Sequence, residues 1–80
     1  MSGDQIAKLA VADTRAIVAA IRVRRIQLGL TLGEIAILIP VALPTYSQWE
    51  SGAVFPPTRP LARAARAVGL RLTVVDGDAP

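Results

Sequence analysis

Glycine and proline cut this chain into short pieces. Gly29, Pro40, Gly52, the cluster Pro56, Pro57 and Pro60, and Gly69 leave no room for a long element after residue 28. Glycine closes helices by turning left-handed, and a proline ring pushes the residue before it out of the helical region. Each interval reads as one helix. Over residues 13–28, Ile17, Ile21 and Leu28, with Val18 close by, draw one apolar face at helical spacing. Asp13 can serve as its N-cap, and Gly29 follows as the stop. Thr31 with Glu34 three residues on makes a capping-box pattern, opening a second helix over 32–39 that Pro40 halts. Ala42 or Leu43 opens a third. Pro44 is tolerated in its first turn, where amides lack intrahelical partners. This helix ends near Ser51, with Gly52 beyond. A proline-rich loop leads to a fourth helix over 58–69. Leu61, Ala64, Ala65 and Val68 form its apolar stripe, and Arg59, Arg63 and Arg66 a separate polar face.

"LRLTVV", residues 70–75, alternates and is β-branched, which reads as one strand. Alternation puts Leu70, Leu72 and Val74 on one face. Residues 76–80 read as a tail. A lone strand has no partner in its own chain, and its unpaired backbone groups are a liability. Pairing with the same strand of a second copy is the simplest remedy. The alternatives are a strand laid on its own helices or a disordered tail. The expected fold is all-α, four to five helices, with one C-terminal strand that pairs across a homodimer. A single domain spans 1–80, with its core in 13–69.

Eighty residues bury only a thin core, which also favours a second copy or a partner. The chain has no cysteine and no histidine, and its six acidic residues are scattered singly. The commonest general base and the commonest metal ligands are therefore missing. No enzyme, metal or cofactor is expected. The net charge of +3 and the pI near 10.7 fit a polyanion partner. Ordinary solvated arginines explain them equally well. No apolar run approaches the roughly 18–20 residues of a membrane span, and the N-terminus lacks a signal-peptide pattern. A cytoplasmic protein is expected.

"IRVRRIQLGLTLGEIA", from Ile21 to Ala36, followed by "WESG", resembles the Cro and phage-repressor (XRE) class of helix-turn-helix domains. Matching positions are Ile21, Arg22, Arg25, Gly29, Leu30, Thr31, Leu32, Ile35 and Ala36, and the resemblance covers residues 21–69. The closing "LRLTVVDGD" narrows it to the HipB-like antitoxins. What this implies is a nucleoid-associated homodimer that binds double-stranded operator DNA and a cognate toxin protein, and represses its own operon. Phosphate contacts would come from Arg22, Arg24 and Arg59. Leu32 stands where the class usually has a phosphate-holding glutamine. Leu43, Pro44, Thr45 and Gln48 map to the base-reading positions. Gln48 suits adenine, and Thr45 a phosphate or a thymine methyl. Arg25 and Glu50 occupy positions that form a buried ion pair in the class. Trp49 beside them reads as core, with an indole N–H that needs an acceptor.

One tension remains inside this reading. "LPTYSQWESG", residues 43–52, holds no lysine or arginine. Pro40 stands where the class has a turn glycine, so the turn must be built differently. Ile37, Leu38, Val41 and Leu43 exceed what one helix face can bury, and a surplus apolar patch usually marks a partner surface. The competing expectations are a protein-interaction module on the same scaffold, or a patch buried in the dimer interface.

Overall fold

The structure, a computed structural model, describes the backbone of residues 3–71 and the side chains of residues 14–71. Four helices make up the described chain: α1 (Gly3–Gln27), α2 (Leu32–Leu38), α3 (Leu43–Ser51) and α4 (Thr58–Ala67). No strand occurs among the described residues. Leu70 and Arg71 belong to no strand, and residues 72–75, with Leu72 and Val74, lie outside the described residues. Leu70 instead closes α4: its N–H donates to the Ala65 carbonyl (2.8 Å), and its side chain packs on the core.

Two sequence expectations need correction. The first helix begins at Gly3, so Asp13 lies inside it and is not its cap. "QIAKLAVA" contains only fair to strong helix formers and no breaker, so the helix continues through a possible cap. Leu28, expected on the apolar face of α1, is exposed. The chain turns away at Gly29 (φ 73°), and Leu30 packs on the core instead. That turn is closed by the Leu30 N–H donating to the Arg25 carbonyl at 3.0 Å.

The core lies where the four helices meet. Ile21 of α1, Ile35, Ala36 and Ile39 around α2, Tyr46 and Trp49 of α3, and Leu61, Ala64, Ala65 and Val68 of α4 and its cap are all buried. The alanines let α4 approach its neighbours closely. Tyr46 and Trp49 meet edge to face, with ring centroids 5.8 Å apart. The α2–α3 turn is made without a left-handed residue, as proline requires. Ile39 caps α2 at φ −102°, and the Val41 N–H reaches back to the Ala36 carbonyl at 3.0 Å.

Candidate nucleic-acid interface

One guanidinium fixes α3 in place. Arg25 Nε and Nη2 donate to the two carboxylate oxygens of Glu50, at 2.8 and 2.9 Å. Arg25 Nη1 donates to the Leu30 carbonyl at 2.7 Å. A single side chain thus ties α1, the turn after it and the end of α3. The side chains are 11% and 7% exposed, so water screens them little. The bidentate geometry is the strong form of this contact. The hydrogen bonds to Glu50 raise the Arg25 pKa above its ordinary value, against a smaller opposing effect of burial. Tyr46 sits in the same environment. Burial pushes its phenol pKa up, and the Glu50 carboxylate adds to that. Its hydroxyl is buried and finds no well-aligned hydrogen-bond partner among the described residues.

Helix α2 is started as its sequence requires. The Glu34 N–H donates to the Thr31 hydroxyl (3.1 Å), and the Thr31 N–H donates to the Glu34 carboxylate (2.9 Å). That second bond holds the Glu34 carboxyl below the usual range. Helix α3 starts otherwise. Ala42 has no capping side chain, and Pro44 occupies the first turn. One orphan amide is thereby removed, and the remaining first-turn amides receive no side-chain cap from Ala42.

The residues mapped to base reading share a surface. Leu43, Pro44, Thr45 and Gln48 are all exposed, while Tyr46 and Trp49 turn to the core. The other mapped residues scatter. Leu32 is half-buried and packs against the core, since an apolar residue here gains more from burial than from water. Arg24 Nε donates to the Val68 carbonyl (3.1 Å), joining α1 to the end of α4. Arg22 Nε lies 3.8 Å from Glu50, and its side chain is 61% exposed. Arg59 is exposed on the first turn of α4.

The cations are unevenly placed along the chain. No lysine or arginine stands between Arg25 and Arg59, so the whole α2–turn–α3 unit lacks one. In their place it exposes Ile37 (79%), Leu38 and Leu43. Sequence reasoning missed a second surface entirely. The Arg15 guanidinium lies 5.5 Å from the Phe55 ring centroid, and Val23 and Ile26 are exposed nearby along α1. A second helical stripe at 15, 18/19, 22/23 and 26 was the available signal.

A family model described as a helix-turn-helix domain matches residues 16–76. No curated protein and no solved structure matches the chain. No helix among the described residues is long and apolar enough to cross a membrane.

Proposed function

The chain belongs to the helix-turn-helix domain family, and on that premise we propose that it is a DNA-binding transcriptional regulator. The observation that carries this reading is the exposed α3 surface of Leu43, Pro44, Thr45 and Gln48, mounted on the Arg25–Glu50 brace. Gln48 is the base reader, through a bidentate amide contact in the major groove. Thr45 and the first-turn amides of α3 hold phosphate, with Arg59 from α4. Arg22 and Arg24 contribute less, because intramolecular partners already draw on them. Leu43 and Pro44 offer apolar contact only, to a thymine methyl.

The test is binding to the DNA upstream of its own gene across a salt series. Specific binding should exceed that to random duplex and weaken steeply with salt. Gln48→Ala should lose roughly 1–3 kcal/mol on the operator and little on random DNA. Arg59→Ala should weaken both alike and flatten the salt slope by about one unit. Operator preference unchanged by Gln48→Ala would remove this residue from sequence reading.

The finer reading is an antitoxin-type autorepressor, a nucleoid-associated homodimer bound by a protein toxin and paired through the segment after α4, with Leu72 and Val74 as its contacts because Leu70 packs on its own core. Its support is the alternating "LRLTVVDGD" that follows α4. Deleting the chain after Gly69 should then leave a monomer or a weaker dimer. An unchanged dimer in sedimentation at micromolar concentration rejects that contact.

A second reading, a protein-interaction module on the same scaffold, is favoured by one observation. The α2–turn–α3 unit exposes Ile37, Leu38 and Leu43 and carries no cation. No DNA binding even at low salt would select it.

A further inference from the structure

A groove of about 520 Å³ runs between α1 and the C-terminal end of α3. Its apolar lining is Val18, Ala19, Val23, Ile26, Trp49 and Phe55. Val23 and Ile26 are each 55% exposed, unusual for adjacent aliphatics on a helix that also builds the core. Arg24, two positions from both Arg22 and Ile26, points instead to α4, so the groove lies on the other side of α1.

The rim is cationic. Arg15 lies against Phe55, and Arg22 reaches outward. Glu50 also lines the groove, but both its oxygens accept from Arg25, and Arg22 stands farther off at 3.8 Å. Arg25 offsets most of that carboxylate, so Arg15 and the 61% exposed Arg22 leave the rim with a net positive charge.

We propose that this groove receives an amphipathic helix of another protein, with its apolar stripe flanked by aspartate or glutamate. The lining residues of α1 repeat every three to four positions from Arg15 to Ile26, a track of roughly 16 Å. A helix of three turns matches that length and lays its own i, i+3, i+7 residues into the floor. Arg15 and Arg22 are two turns apart, about 10 Å, so partner carboxylates two turns apart face them. A second copy fits poorly, because a symmetric contact sets one positively charged groove against another. DNA would use only the polar rim and leave the apolar lining of Val18, Val23, Ile26 and Phe55 uncovered. The groove touches α3 only at Trp49 and Glu50–Gly52, beyond the exposed Leu43–Gln48 surface. The groove shares only Arg22 with the proposed DNA contacts, and peptide binding tests it without DNA.

Trp49 is the only tryptophan in the chain and reports occupancy by its fluorescence. The probes are two synthetic helical peptides of about 18 residues. Both carry a leucine stripe at i, i+3, i+7 spacing; one is flanked by glutamates seven apart, the other by lysines there. Titrated into the full chain, the glutamate peptide should give a saturable emission shift, with affinity at least about tenfold above the lysine peptide. Arg15→Glu, at an exposed position, should remove that preference, and Ile26→Asp should abolish binding of both, with circular dichroism unchanged. Equal affinity for the two peptides, or no saturable binding, overturns the proposal. So does self-association in sedimentation that Ile26→Asp abolishes, which would assign the groove to a second copy.

Discussion

Helix α4 and the α2–turn–α3 unit place their apolar residues by different rules. On α4 and its cap, Leu61, Ala64, Ala65 and Val68 are buried, and Arg59, Arg63 and Arg66 are exposed. Packing of this one chain accounts for that pattern completely. On α2–turn–α3, Ile35, Ala36 and Ile39 are buried, yet Ile37, Leu38 and Leu43 face outward where polar residues would cost less. Packing within the chain explains only half of that unit. What is left over is an aliphatic surface of Ile37, Leu38 and Leu43 that the described residues do not cover, the kind of surface that usually marks a contact.

The largest expected effect separates a braced arginine from a solvated one. Arg25→Met or Glu50→Gln should each cost roughly 3–5 kcal/mol in urea denaturation, because each leaves a buried partner unsatisfied. The double variant should cost less than the sum of the two. Arg63→Ala, on the open face of α4, should stay within about 0.5 kcal/mol of wild type. Additive single effects at Arg25 and Glu50 would mean the brace carries no coupling, and α3 would have to be positioned by Tyr46 and Trp49 alone.

That brace also marks where sequence reasoning reached and where it stopped. The limits of α2, α3 and α4 were legible because Thr31, Pro40, Gly52 and Gly69 act on their immediate neighbours. The start of α1 was not: Asp13 satisfies the local rule for a cap, but nothing before it breaks a helix. Leu28 has the right period for burial, yet a period cannot say where the chain goes after Gly29. Arg25 and Glu50 are too distant in sequence for any spacing rule to join them, and only the family resemblance did so. The same resemblance mapped Leu32 to a phosphate-contact position, and there the structure holds it half-buried against the core. The surplus of apolar residues in 37–43 was visible as a sum. Which of them stay exposed needed the packing of α2 on α4.

A middle-sized effect tests the start of α2, the edge of the anomalous unit. Thr31→Ala should cost about 1 kcal/mol, the usual worth of a cap. The Glu34 half of the box is pH-dependent. Its carboxyl is held below the ordinary value of 4.5 by the Thr31 N–H. A depressed carboxyl contributes stability that is complete above its unfolded value and is lost as pH falls through its folded value. Glu34→Ala should therefore be less stable than wild type at pH 7, and the gap should close on acidification below 4.5. A gap that persists unchanged at low pH would show that the carboxylate is not what starts the helix.

The smallest expected effect on stability is the most informative about the comparison. Ile37 is 79% exposed near the end of α2, and that helix has no basic residue in its last turn. Ile37→Lys removes little packing, adds a better helix former and sets a cation near the negative end of the helix dipole. Its effect on stability should lie within about 0.5 kcal/mol. Its effect on binding should be larger. With the α2–turn–α3 surface against a duplex, the new ammonium meets phosphate. Affinity for operator and random DNA should rise alike, and the salt slope should steepen by about one unit. We expect that outcome, since it follows from α3 lying in the groove with α2 crossing the backbone. An unchanged salt slope would place this surface away from DNA. Ile37, Leu38 and Leu43 would then be the contact of a protein partner, and the unequal patterns of α4 and α2–turn–α3 would reflect two different proteins rather than a protein and a duplex.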